Sequence, residues 1–350
     1  MTMTLHVFDA DFVYRGRIEN WISLTWTEQY KDKGGLSLEV YDTDKYAGLL
    51  RRGWYLYRAD RPGAMMIVSV KRDTESNTIT AAGYTALYLL TRRIVAHPYT
   101  VKNAESGVYG MINGDIRGLN VKTAAVKGLT AEYECRIEGE DLLEAASEVL
   151  EQTDYGIRAN FDRTNKTHVI EVYDGADRTY KDGEGGVVFS QEYGNLRKLT
   201  VTEDDDLYKN VALVTGADNR NPQTIYYQYV SPEAVDAGEA KWRELLVTGD
   251  DQKEEETTAE WQARQKQTGI KALQSHKNAL CFECELSATE FGNRCELGDK
   301  VTCRSQRYGL RFDARITEYQ YENRHGVETI KVVIGEKPLN YVKGEIVKNG

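Results

Sequence analysis

The first part of the chain alternates apolar and polar residues, the pattern of half-buried strands. Residues 4–13 predict one strand. Residues 22–28 predict a second, with Ile22, Leu24 and Trp26 on one face, and 36–40 predict a third. The polar stretch between the last two ends in Gly34-Gly35, so they read as a hairpin. Residues 42–52 start acidic, end basic and are followed by Gly53, which predicts a short helix. Strands are predicted over 54–57, 65–71 and 77–82, separated by Arg61-Pro-Gly63 and Glu75-Ser-Asn77. Leu87, Leu90 and Ile94 predict a helix over 84–94.

After His97-Pro98 the period turns helical. Residues 104–116 predict a helix weakened by Gly107, Gly110 and Gly114. Residues 140–153 predict an amphipathic helix with Leu142, Leu143, Ala146, Val149 and Leu150 as its apolar stripe. A hairpin of 156–161 and 168–173 beneath it completes a small α+β unit. Strands follow at 196–202, 210–215 and 223–230. Residues 231–279 are charged, with Glu254-Glu-Glu256 leading into a helix over 257–275. Strands return at 280–287, 300–305, 311–321 and 327–334.

Part of this pattern recurs. Leu24-Thr-Trp-Thr-Glu28 reappears as Leu199-Thr-Val-Thr-Glu203 (199 − 24 = 175), and the same offset sets Leu36 on Val211 and Leu38 on Leu213. Gly53-Trp-Tyr-Leu-Tyr57 aligns with Gly298-Asp-Lys-Val-Thr302 (298 − 53 = 245). Val68 and Val70 then fall on Ala314 and Ile316, and Ile79-Thr-Ala-Ala-Gly83 on the stretch Ile330–Gly335. The growth in offset predicts a long insertion in the second copy, and the 231–279 helical stretch is placed to be it. Two like barrels in one chain can occupy equivalent places in a ring, so three chains would present six similar units.

Composition narrows the class. A length of 350 residues suits two or three domains. The net charge of −10 argues against a large basic nucleic-acid surface. A hydrophobic fraction of 41% excludes general disorder. Tyrosine is abundant at 23 against 7 phenylalanines, which favours strands. No apolar run approaches the ~20 residues of a membrane span, and the first residues lack a secretory signal, so folding in a cytoplasm is expected.

The sequence offers little catalytic chemistry. Cys281-Phe-Glu-Cys284 has the spacing of half a zinc site, and Cys295 and Cys303 could complete four sulfurs. Yet residues three apart on a strand point to opposite faces, so buried or half-buried thiols, Cys135 included, are expected instead. No histidine pair has metal-ligand spacing, and His168 and His325 read as surface residues. Neither a Gly-x-Ser-x-Gly elbow nor a phosphate loop is present. Gly183-Glu-Gly-Gly186 lacks a following helix and reads as a loop between strands. Glu203, Asp204, Asp205 and Asp206 do not match a calcium loop and read as a solvated hairpin tip. Around a ring, such tips would form an acidic rim that repels DNA phosphates. No catalytic residue, cofactor or metal is expected.

The order of elements resembles the tail-tip baseplate hub family of tailed bacteriophages, prophages and phage-tail-like bacteriocins, which also forms the N-terminal part of tail-associated lysins. Four places carry the likeness: Tyr84-Thr-Ala-Leu-Tyr-Leu-Leu-Thr-Arg-Arg-Ile94; Ser190-Gln-Glu-Tyr-Gly-Asn195 followed by Tyr208-Lys-Asn-Val-Ala-Leu-Val-Thr-Gly216; Leu297-Gly-Asp-Lys-Val301; and Ala314-Arg-Ile-Thr-Glu318 before a strand ending at Gly335. The resemblance implies an α+β, mainly β fold with two tube-type β-barrels related by internal duplication. The first barrel is expected over 1–95 and a small α+β domain over 96–190. The second barrel is expected over 191–230 plus 280–338, interrupted by a helical insertion over 231–279, with a tail over 339–350. The resemblance further implies a homotrimer whose six barrels match a sixfold tube at the virion tail tip. Its implied partners are the distal tail protein or tail tube, the tape-measure protein, and a spike or fibre, with DNA passing only through the channel. No lysin domain is expected after the last strand.

The structural hub is therefore the leading reading, with Thr25, Thr27, Thr200, Thr202 and the acidic run 203–206 as candidate wall or rim positions. A carbohydrate-binding module or adhesin, with tyrosines as stacking platforms, is the alternative. A cell-wall hydrolase using paired carboxylates is a more remote one.

Overall fold

A computed structural model describes residues 3–218, 221–286 and 290–337. The expected tail over 339–350 lies outside them. The chain is mainly β and divides into two compact units, Met1–Thr200 with Phe282–Ile334, and Val201–Cys281 with the chain from Gly335 on.

The larger unit opens with β1 (Leu5–Phe8) and β2 (Tyr14–Ile18). The strand expected over 4–13 stops at Phe8. There the Asp9 carboxylate accepts hydrogen bonds from the amides of Asp11 and Val13, both at 2.9 Å, and folds the chain back. Then come β3 (Ser23–Gln29), β4 (Gly35–Tyr41), α1 (Asp44–Leu49), β5 (Tyr55–Tyr57), β6 (Ala64–Asp73) and β7 (Thr78–Thr85). Thr43 caps α1 through its hydroxyl; the helix expected over 42–52 spans only these six residues, and the basic pair Arg51-Arg52 lies beyond its end. The helix expected over 84–94 is a seven-residue 3-10 helix, Ala86–Arg92, that buries Leu87, Leu89 and Leu90.

The α+β elements are β8 (Tyr99–Asn103), α2 (Ala104–Asp115), β9 (Val121–Thr123), β10 (Glu132–Ile137), α3 (Leu142–Glu151), β11 (Gly156–Asp162) and β12 (Thr167–Tyr173). The stripe on α3 is buried as its spacing predicts, and Asp141 caps the helix by accepting from two amides. β11 and β12 form the expected hairpin, and β9 joins β12 in parallel. Gly107 and Gly110 let α2 approach β8. A Cβ at Gly107 would lie 2.6 Å from the Val101 side chain, and one at Gly110 would lie 1.9 Å from the Tyr99 hydroxyl.

One expectation fails here. His168 is not a surface residue; it is fully buried on β12. Its ring lies 4.7 Å from Tyr55, 5.1 Å from Phe12 and 5.4 Å from Phe161, and neither ring nitrogen has a hydrogen-bond partner. Burial pushes its pKa down to about 3. The unfolded imidazole binds its proton near pH 6.5 and the folded one does not. Stability is therefore intact above pH 6.5 and falls as pH drops toward 3. Between pH 6.5 and 5 the loss from this residue is about 2 kcal/mol. His168→Phe is expected to remove that part of the acid sensitivity, read as the difference between the two chains' denaturant midpoints at pH 7 and pH 5.

β13 (Val188–Phe189) leads into β14 (Leu196–Asp204). The smaller unit then holds β15 (Val211–Asp218), β16 (Asn221–Val230), α4 (Pro232–Ala237), β17 (Glu244–Thr248) and α5 (Thr258–Gln274). α5 carries a Thr257/Glu260 capping box. β15 pairs antiparallel with β16 and parallel with β17. β17 is a strand inside the stretch whose charge suggested only helix. Its Leu245 and Val247 pack with Tyr227 and Tyr229 against Ala212, Val214 and Leu273, which covers one face of this sheet with α5.

The last elements among the described residues are β18 (Ala279–Leu286), β19 (Lys300–Ser305), β20 (Leu310–Arg324) and β21 (Val327–Gly335). The main sheet runs β14-β18-β21-β20-β3-β4-β7-β6-β5-β1-β2, with β19 beside β20 and β13 beside β19. This order contains the repeat: β3-β4-β7-β6-β5 in one half and β14-β18-β21-β20-β19 in the other. The strand beside β14 is thus β18. The strand aligned with β4 by sequence, β15, lies in the three-stranded sheet β16-β15-β17, and in chain order everything from β15 to α5 follows β14 and precedes β18.

Candidate functional site

The repeat holds at the level of single residues. Tyr55, Leu56 and Tyr57 pair with Met66, Met65 and Ala64. Lys300, Val301 and Thr302 pair with Arg315, Ala314 and Asp313. Gly53 and Gly298, just before these strands, both have positive φ, at 82° and 94°. The middle strand of each meander then bulges at one place. Ile67 faces Gly83 and Ser69 faces Ala82, leaving Val68 as the extra residue; Ile316 faces Ile334 and Glu318 faces Val333, leaving Thr317. Val68 therefore corresponds to Thr317 and Val70 to Tyr319, three positions beyond the alignment read from sequence.

The two halves join where β20 pairs with β3, Gln320 opposite Thr27 and Glu322 opposite Thr25. Strand alternation sends one face of this junction to the core, through Leu24, Trp26, Tyr319 and Tyr321, all at most 3% exposed. The other face is polar. There the Gln320 amide donates to the Thr27 hydroxyl at 3.3 Å, the Gln29 amide donates to Glu318 at 3.2 Å, and Lys331 pairs with Glu322 at 3.0 Å. β4, β6 and β7 continue this face with Ser37, Glu39, Thr80, Lys71 and Asp73. Carboxylates exceed ammonium groups along it.

Thr25 and Thr27 lie half-buried on that face. Thr200 is exposed and Thr202 half-buried on β14, four strands away along the sheet, so the structure does not bring the two threonine pairs together. Glu203 and Asp204 end β14, and Asp205 and Asp206 form the turn after it. Asp205 pairs with Arg243 at 2.6 Å, and the Asp204 carboxylate accepts from the Asp206 amide at 2.9 Å.

Beneath the junction lies a cluster that the sequence did not flag. Arg61, from the turn between β5 and β6, donates to both oxygens of Glu28 on β3, at 2.9 and 2.7 Å, and to Glu296 at 2.9 Å. Its guanidinium stacks 4.7 Å from the Tyr319 ring centroid and 5.3 Å from that of Phe291. Arg58 stacks on Tyr321 and Trp26 and donates twice to Asp60. Burial works to raise the Glu28 pKa, but the Arg61 charge and hydrogen bonds outweigh it and hold the carboxylate below its usual range. The signal available in sequence was Arg58-x-x-Arg61 beside a strand end; its partners are 33 and 235 positions away. A cavity of about 290 Å³ borders the cluster, lined by Trp26, Arg61, Arg158, Tyr173 and Glu296 among others. Arg61 and Glu296 are paired as above, and Arg158 is paired with Glu171 at 2.8 Å, so this lining is built of satisfied charges.

All five cysteines are buried thiols, and among the described residues no group of three His, Cys, Asp or Glu is placed to hold a metal. Burial pushes the Cys295 pKa up to about 12 and raises those of Cys284 and Cys303. Thiol titration of the native chain at pH 8 is accordingly expected to report less than one equivalent within minutes, rising to five in denaturant. The tyrosines divide between core and surface. Tyr30, Tyr55, Tyr109, Tyr173, Tyr319 and Tyr321 are buried, while the exposed Tyr14, Tyr41, Tyr84, Tyr180, Tyr193, Tyr226 and Tyr308 are spread over separate segments, Tyr84 stacking on Tyr88 at 5.2 Å. That distribution favours packing over a sugar-stacking platform.

The family model for siphovirus ReqiPepy6 Gp37-like proteins matches residues 4–336. Among solved structures, the chain is similar to prophage tail protein gp18 from Listeria monocytogenes EGD-e, at 14% identity over 97% of this chain and 96% of that one, with a TM-score of 0.57. It is similar to the 43 kDa tail protein of prophage MuSo2 from Shewanella oneidensis, at 12% identity, 95% and 97% coverage and a TM-score of 0.61. It is also similar to a tail protein from Neisseria meningitidis MC58, at 10% identity, 96% and 97% coverage and a TM-score of 0.60. At such identities the likeness is one of fold. No curated protein matches the sequence.

Proposed function

The chain belongs to the siphovirus ReqiPepy6 Gp37-like family and shares its fold with prophage tail proteins, and from that premise we propose that it is a structural hub of a phage or prophage tail tip. Three copies form a ring in which six like sheet modules, two per chain, meet the sixfold tail tube. The polar sheet face lines the channel, and its excess of carboxylates keeps passing DNA from adhering to the wall. The distal tail protein or tube, the tape-measure protein and a spike or fibre are its neighbours. The role is mechanical and requires no catalytic group.

The observation that carries this reading is the repeat of β3-β4-β7-β6-β5 as β14-β18-β21-β20-β19, with a bulge at equivalent residues. A chain that builds one module twice is suited to doubling a threefold symmetry. Immunogold electron microscopy of tails, with antibody raised against this chain, tests the location. Label confined to the end distal to the capsid is expected; label along the tube or at the capsid end contradicts it.

A further inference from the structure

The cavity beneath the sheet junction has no part in the hub reading. Its walls come from β3, the turn between β5 and β6, the end of β7, β11, β12 and the chain before β19. Asp32, Asp60 and Glu296 line it with side chains 54%, 59% and 48% exposed, so it opens to solvent on their side. Leu87, Ile157 and Tyr173, all buried, form an apolar wall.

The charges of this lining are closed. Arg61 pairs with Glu28 and Glu296, Arg158 with Glu171, Asp60 with Arg58 and Asp32 with Lys33, all within 3.9 Å. Hydrogen-bonding capacity is left over. Arg158 donates from Nε to Glu171 at 2.8 Å, and its guanidinium lies 4.4 Å from the Tyr173 ring centroid, which fixes its plane. Its two terminal nitrogens have no acceptor among the described residues. Glu296 receives Arg61 on Oε2, which leaves Oε1 to accept. The hydroxyl of Thr85, also on the wall, is buried without a partner.

We propose that this cavity binds one neutral hexopyranose unit. A further charge would lose its hydration and find no counter-charge, so the ligand is neutral. It has to accept from the Arg158 fork and donate to Glu296; a hydroxyl does both. A pyranose carries hydroxyls on its rim and presents C–H surface to the apolar wall, and its rigid ring loses little freedom on binding. Size agrees. At ~30 Å³ per water, the cavity of about 290 Å³ has room for about ten waters, close to one ring of about a dozen heavy atoms and too little for two. The exposed tyrosines have no part in this site, and a hub without it is still a hub.

Saturation-transfer NMR and calorimetry of the intact chain with D-glucose, D-galactose and D-mannose test the proposal. At least one is expected to bind with a dissociation constant on the order of 1 mM, saturated through its ring C–H groups. The corresponding uronate and amino sugar are expected to bind about tenfold more weakly. Arg158→Lys keeps a cation for Glu171 and loses the planar fork, and should weaken binding about tenfold. Thr85→Val should weaken binding at least twofold, with a melting temperature unchanged or higher because an unpartnered hydroxyl is gone. Ala159→Leu fills the cavity from β11 and should abolish binding. No binding of any of the three hexoses at about ten times the expected constant, or tighter binding of a charged sugar, overturns the proposal. So does affinity undiminished in both Arg158→Lys and Ala159→Leu. None of these results alters the trimer mass or the tail location on which the hub reading is tested.

Discussion

Arg61→Leu is expected to lower the stability of the larger unit by about 3–5 kcal/mol, the cost of stranding a buried charge that has lost its partner. Arg61 and Glu28 are 6% and 13% exposed. Deleting the guanidinium leaves Glu28 facing Tyr319 and Trp26 with one remaining hydrogen bond, from the Trp26 indole at 2.8 Å. At roughly 2–4 °C per kcal/mol for a unit of this size, the melting temperature should fall by about 10 °C. The control separates charge from volume. With Glu28→Leu and Arg61→Met combined, no buried charge is left stranded, and most of the loss should return. Equal losses in the single and double variants, read by calorimetry, would show that stacking on Tyr319 and Phe291 matters more than the ion pair.

Val70→Pro is expected to abolish assembly while leaving the protomer folded. β6 has no strand beside Val68–Asp73 other than β7 among the described residues. Ile67 sends its N–H away from β7 to the Trp54 carbonyl, and the extra residue at the bulge puts Val70 in the same phase. Proline at Val70 therefore removes an outward donor and spares the β6·β7 ladder, the arrangement in which edge strands tolerate proline. Lys71→Pro one position on removes an inward donor and should unfold the meander instead. Trimer mass lost with a native circular dichroism spectrum is the expected outcome for Val70→Pro. A trimer that survives that substitution would place the contact elsewhere.

The strands of both meanders were legible because alternation and glycine are local signals. Gly53 and Gly298, with the strands after them, aligned in sequence in the register the structure has. The bulges were not legible, because an extra residue is defined by what lies across the ladder. Val68 was therefore matched three residues short of Thr317. β15 was matched to β4 because Leu and Val alternate in both; alternation says which face is apolar and not which strand is next. His168 was misjudged for a related reason. A polar residue in a strand reads as outward-facing, but β12 is covered on the His168 side by Phe12 and Tyr55 as well. Thr25 and Thr27 lie half-buried on a polar face, as strand alternation alone indicates. Their partners Glu322 and Gln320 come from a strand nearly three hundred residues on, a proximity that topology alone supplies.

Sedimentation equilibrium of the intact chain at micromolar concentration is the most direct test of a duplicated module closing threefold. The account predicts a single species at three times 39.7 kDa, falling to one chain mass with Val70→Pro. A species of one, two or four chain masses that persists across a hundredfold range of concentration would contradict it.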